Sequence, residues 1–190
     1  MKLGFLTACM PERELGSIAS WAAGAGYETL ELAAWPALGD RPFTASHVAA
    51  DRFDPAEAGR VMGAPERNGL GLSALAYYDN CLHPDPAERQ KHVDHTKHCL
   101  ELAAQLGIPC VRLNSGRWKT IQSFDDLMKV KGDEPPLPGH TQDEAIDWCV
   151  KSIEACLPTA EKEGVMLALE NHWGLTTRPE NLLKILDRFA

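Results

Sequence analysis

Glu170-Asn171-His172 sets a carboxylate, an amide and an imidazole at the end of the apolar run Val165-Met166-Leu167-Ala168-Leu169. Preceded by Glu163-Gly164 and followed by Trp173-Gly174, that run reads as a buried parallel strand. If its side chains alternate, Ala168 and Glu170 share one face, while Leu167 and Leu169 point to helices. A carboxylate at the carboxyl end of such a strand stands where α/β barrels and open α/β sheets carry their chemistry. An inward Glu is costly unless it meets a metal, a partner or water. Glu170 is therefore a candidate metal ligand or general base, and His172 can orient a substrate or Glu170 itself.

Glu31 closes an earlier run, Thr29-Leu30-Glu31-Leu32, in the same manner. Two inward carboxylates at strand ends suggest a polar pocket; the alternative for Glu31 is a buried structural acid held by backbone donors or an Arg. His83 follows a third run and can bind a sugar hydroxyl, or be an ordinary solvated loop histidine. Asn114 and Arg117 follow a fourth run, in Arg112-Leu113-Asn114-Ser115-Gly116-Arg117, and Arg117 has the fork to clamp a phosphate or carboxylate. His92, His95 and His98 look like a metal trio. With Val93, Leu100 and Ala104 as the core face of their helix, however, His95 and His98 point to solvent. Trp118 and Trp173 can stack on a substrate, whereas Trp148 lies on a helix and reads as packing.

The elements that must position these residues recur in one order. Strands are expected at Leu3–Thr7, Thr29–Ala33, Gly71–Tyr77, Ile108–Leu113 and Val165–Glu170. Between them, Leu15, Ile18, Ala19 and Ala22 recur at helical spacing, and Asp54-Pro55-Ala56-Glu57 and Asp85-Pro86-Ala87-Glu88 open helices. Thr141-Gln142-Asp143-Glu144 is a capping box for a helix reaching about Lys162, which Pro158 should kink or break. The stretch from Asn114 to His140 is polar, rich in Gly and Pro, and too long for an ordinary connection, so it is expected to be a mobile lid. Five β–α units in a row imply an α/β fold of barrel type.

The chain has 190 residues, 44% of them apolar, with 19 basic and 27 acidic side chains for a net charge of −8. No basic stripe with interleaved aromatics is present, which argues against nucleic acid as a partner. No apolar run approaches the ~18 residues that span a membrane. The start is too short and too soon polar for a signal peptide. Six cysteines without a C-x-x-C pair fit buried free thiols in a reducing cytoplasm.

Taken together, Leu30-Glu31-Leu32, Ala76-Tyr77-Tyr78-Asp79-Asn80, Leu82-His83-Pro84-Asp85, Leu106-Gly107-Ile108-Pro109 and Leu167-Ala168-Leu169-Glu170-Asn171-His172 resemble the sugar isomerase/epimerase superfamily with the xylose isomerase-like TIM barrel. The resemblance covers essentially the whole chain. It implies a TIM-type (β/α)8 barrel domain over 1–190, truncated after its fifth β/α unit. It further implies that Glu170 binds a divalent metal (Mn2+, Mg2+, Co2+ or Zn2+), whose other ligands come from strands six to eight. Glu170 would also be one of two glutamates that move a proton between adjacent carbons of a small sugar, sugar phosphate or polyol. Self-association is expected from the unpaired strand edges. Other readings are a dehydratase or lyase of the same superfamily, an abasic-site endonuclease-like protein, and a non-catalytic sugar-binding module.

Overall fold

Apolar runs that end at turn signals become strands, and amphipathic runs behind capping residues become the helices between them. The structure, a computed structural model, describes residues 1–35, 46–48, 50, 53–77 and 80–190. Tyr78 and Asp79 of the motif above therefore lie outside the described residues. The strands are β1 (Gly4–Leu6), β2 (Thr29–Ala33), β3 (Gly71–Ala76), β4 (Cys110–Asn114) and β5 (Met166–Glu170). The helices are α1 (Leu15–Gly24), α2 (Pro55–Arg67), α3 (Pro86–Gln105), α4 (Phe124–Lys129), α5 (Gln142–Glu163) and α6 (Pro179–Leu186). One sheet has the order β1-β2-β3-β4-β5, and its registered pairs are parallel.

The helix-start signatures act as their chemistry demands. The Asp54 side chain accepts from Glu57 N at 2.8 Å, with Pro55 opening α2. Asp85 accepts from Ala87 N at 2.8 Å. At α5, Thr141 Oγ1 accepts from Glu144 N at 3.2 Å, and the Glu144 carboxylate takes Thr141 N at 2.7 Å. Of the kink or break expected at Pro158, the break does not occur: α5 runs unbroken through it, without the bond that a nitrogen proton would have made to the Glu154 carbonyl.

The chain divides into two compact units. The first comprises Met1–Tyr77, His98–Arg112 and Glu163–Leu167. Its core joins Ile18, Ala22, Leu30, Leu32, Leu75, Ile108 and Val111, all sealed from solvent, and α1 packs on α2. Here β2 and β3 slip by one residue. Leu30 pairs with Leu72, but Glu31 pairs with Ala74, so Ser73 is the extra residue of a bulge. Ser73 Oγ donates to Leu30 O at 3.2 Å. Leu72 and Leu75 are an odd number of positions apart, yet the bulge sets them opposite Leu30 and Leu32, which are not.

The second unit comprises Tyr78–Lys97, Leu113–Lys162 and Ala168–Ala190. Leu82, Leu127, Ala145, Cys149, Leu175 and Ile185 are buried in it. Asn114 to His140 is not the bare lid that its composition implies. It contains α4, capped by Ser123, and buries Trp118, Leu127 and Glu134.

Leu167 to Glu170 of β5 are half-buried and Met166 is 67% exposed. Two further readings change. The core face of α3 is Val93, Cys99, Leu100, Leu102 and Ala103 rather than Ala104. His98, although exposed, hydrogen-bonds the Ala50 carbonyl at 2.6 Å. No disulfide joins the six cysteines; four are buried, Cys110 is half-buried and Cys9 is exposed. No helix among the described residues is long and apolar enough to cross a membrane.

Candidate functional site

In the first unit, alternation along β2 buries Leu30 and Leu32 and leaves Glu31 on the opposite face. Arg112, at the corresponding alternation in β4, donates its Nε to Glu31 Oε1. Both side chains are mostly buried, 20% and 13% exposed. An inward acid and an inward base thus remove each other's desolvation problem, which is the structural alternative raised for Glu31. Arg112 could have been suspected on the ground that flagged Glu31: a charge at an inward strand position needs a partner. Beside the pair, burial pushes the Cys110 thiol up, and the negative Glu31 adds to this. Both effects favour the neutral thiol of Cys110, which Arg112 opposes.

In the second unit, Glu170 ends β5 and is half-buried. His172 is half-buried as well, its ring 5.0 Å from that of Trp173. The turn after them is fixed by hydroxyls. Thr176 Oγ1 accepts from His172 N at 3.2 Å and lies 3.2 Å from Glu170 O, and Thr177 Oγ1 donates to His172 O at 3.2 Å. Asn114 is buried and turns back on the chain, its Oδ1 accepting from Gly116 N at 3.1 Å. Ser115 Oγ meets Thr176 Oγ1 at 3.1 Å, so the ends of β4 and β5 are joined through side chains.

Arg117 has a different anion from the one its position suggested. Its Nε and Nη2 grip the carboxylate of Glu134 at 3.0 and 2.7 Å. Glu134 also accepts from Lys119 N and Ile121 N, and its side chain is fully buried. The neighbouring acid, Asp133, is held by Arg178 at 2.7 Å. The strap Gly132-Asp133-Glu134 is thus gripped by one arginine following β4 and another following β5. His83 lies at the start of α3, where its Nδ1 accepts from Asp85 N at 3.2 Å. Trp118 and Trp148 pack on each other, and the Arg89 guanidinium sits 4.6 Å above Trp148. Trp173 packs edge-on to Phe124.

Three residues that matter here went unmarked in the sequence: Asn80, whose Oδ1 accepts from Arg117 N at 3.1 Å, Glu134 and Thr176. Each works through a distant partner, and nothing local announces it. Because Glu134 accepts four bonds with no solvent access, Glu134→Gln should destabilise the protein by about 3 kcal/mol, as expected for breaking a buried ion pair. Chemical denaturation measures that loss, and amide exchange should show Ile121 losing protection first. Unchanged stability would mean that the strap is not anchored here.

Among the described residues no three His, Cys, Asp or Glu side chains gather as a metal-binding cluster. They do not make a complete site for the divalent ion implied by the resemblance, although Glu170 offers a hard oxygen donor of the right kind.

No curated protein matches the chain. Among solved structures, it resembles D-psicose 3-epimerase crystallised in the presence of D-fructose (TM-score 0.64, 18% identity, 92% of this chain and 55% of that one). It also resembles D-allulose 3-epimerase from Methylomonas sp. in complex with D-allulose (0.68, 14%, 98% and 58%). A third is a xylose isomerase-like TIM barrel protein from Mycobacterium smegmatis in complex with magnesium (0.65, 12%, 98% and 60%). At these identities the likeness is one of fold, and the chain spans 55 to 60% of the length of these structures. The chain supplies five β/α units of a TIM-type (β/α)8 barrel. The profile of the xylose isomerase-like TIM barrel family matches residues 19–190. The chain belongs to that family.

Proposed function

We propose that the protein is an isomerase or epimerase of a small sugar, sugar phosphate or polyol, acting by proton transfer between adjacent carbons. The observation that carries this reading is Glu170, a half-buried carboxylate at the carboxyl end of β5 in a chain of this family. Structures of similar fold, one determined in the presence of D-fructose and one in complex with D-allulose, support the substrate class. The net charge of −8 favours a small polyhydroxylated molecule over a phosphate backbone. Residues 1–190 are read as the first five units of one barrel domain.

Glu170 takes the proton from the carbon beside the substrate carbonyl. The C–H electron pair becomes the carbon–carbon double bond of an enediolate, and the carbonyl oxygen takes up the negative charge. Delivery of a proton to the same carbon from the opposite face, by a second acidic group, epimerises; delivery to the neighbouring carbon, with the hydroxyl proton passing to the former carbonyl oxygen, isomerises. A carboxylate suits the task because its oxygens can take and release the proton without a change of geometry. A divalent cation, when bound, supplies electrophilic stabilisation of the oxyanion, and Glu170 is the residue of this chain proposed to touch it. His83, Asn114, Arg117, His172 and Glu31 are proposed to shape the substrate's surroundings, with Arg117 and Glu31 acting through Glu134 and Arg112. Self-association is part of the proposal, supported by the exposed Leu183, Leu186 and Phe189.

The test is incubation of the protein as its cell makes it with a panel of ketoses in D2O and Mn2+. One deuterium should enter next to the carbonyl, with a new epimer or aldose appearing. Loss of water or carbon–carbon cleavage would move the assignment to a dehydratase or lyase. No exchange with any sugar would remove it.

A further inference from the structure

One buried hydroxyl holds the backbone on both sides of the carboxylate. Thr176 Oγ1 lies 3.2 Å from Glu170 O, 3.2 Å from His172 N and 3.1 Å from Ser115 Oγ. Both hydroxyl residues are sealed from solvent. A hydroxyl carries one proton and two acceptor lone pairs. Glu170 O at 3.2 Å and His172 O at 3.5 Å can only accept, and the Thr176 proton goes to the nearer, Glu170 O. The lone pairs then receive the His172 N–H and the Ser115 hydroxyl, which makes Ser115 the donor of that pair. The bonding capacity of Thr176 Oγ1 is filled by groups at the ends of β4 and β5 and in the turns after them.

We propose that Thr176 is a positioning residue, whose hydroxyl fixes the peptide at Glu170 and His172 and so aims their side chains. Its role in turnover rests on the reading of Glu170 as the proton-transferring group; its role in holding the turn does not. A misplacement of about 1 Å at a reacting group can cost ~100-fold in rate. Valine at position 176 keeps the shape and deletes the hydroxyl, leaving the His172 N–H and the Ser115 hydroxyl buried without their acceptor.

The experiment compares Thr176→Val, Thr176→Ser and Ser115→Ala in the protein as its cell makes it. The first readout needs no substrate: the amide exchange rate and the 1H–15N resonance of His172. The second is kcat against KM for deuterium exchange into the ketose. Thr176→Val should speed His172 exchange about tenfold and move its resonance, from loss of one buried hydrogen bond. It should lower kcat by about 10- to 100-fold with KM nearly unchanged. Thr176→Ser should restore all of these, and Ser115→Ala should show the same changes at smaller size. If Thr176→Val does not fold, the contrast between Thr176→Ser and Ser115→Ala carries the test. Serine as damaging as valine would assign the effect to the lost methyl group and overturn the proposal, as would a wild-type His172 amide in Thr176→Val. Absence of turnover in the wild type would count against the proposed function alone, because the amide readout still decides the role of Thr176.

Discussion

Glu170→Gln should lower turnover by about a thousandfold or more while leaving the fold intact, the scale on which removal of a general base acts. Glutamine fills the same volume and keeps one acceptor oxygen, but its amide cannot take a proton from carbon near neutral pH. The same substitution should weaken Mn2+ binding about tenfold, because a hard cation loses an anionic ligand. Deuterium incorporation and a calorimetric Mn2+ titration measure the two effects. Activity near the wild-type level would remove Glu170 from the chemistry. Lost activity with unchanged metal affinity would leave it as a base and withdraw it as a ligand.

Gly174→Ala should be the most damaging single methyl group in the second unit, costing about 4 kcal/mol or more, at the diagnostic end of the scale for point substitutions. Two physical terms add. Gly174 has φ +91° and ψ −132°, a region that L side chains rarely enter. A Cβ there would stand 2.1 Å from Gly116 O and 3.0 Å from Arg117 Cα, both backbone atoms that cannot swing aside. Gly139→Ala separates the terms, since Gly139 has φ +86° with nothing within 4 Å of the added carbon. It should cost about 1 kcal/mol, the conformational part alone. Urea unfolding of both variants gives the comparison. Equal losses would mean that the close approach of the two turns contributes nothing.

What could be read beforehand follows from how local each signal is. The strands were legible because apolar runs stop at turn residues, and the helix starts because Asp54, Asp85 and Thr141 cap within three residues of themselves. Glu170 stood out by breaking an apolar run. Arg112 carries the same mark, a charge between Val111 and Leu113 in the fourth expected strand, and only the structure shows that its partner is Glu31. Ser115 and Thr176 were illegible because they are 61 positions apart and neither residue type is unusual in a turn. A polar segment looks as if it has nothing to bury, whereas one carboxylate gripped by Arg117 and two amides serves in place of an apolar anchor.

Ser73 carries information by being counted rather than by being serine. Its side chain is exposed and makes one bond to a carbonyl, so many residues could stand in its place. Removing it would set Leu72 and Leu75 two positions apart, where plain alternation keeps both opposite Leu30 and Leu32. Position 73 is therefore an insertion that the bulge absorbs, and the strand tolerates both a change of spelling and a deletion there. A relative that lacks the residue would keep the parity of its two faces and lose only the local bend.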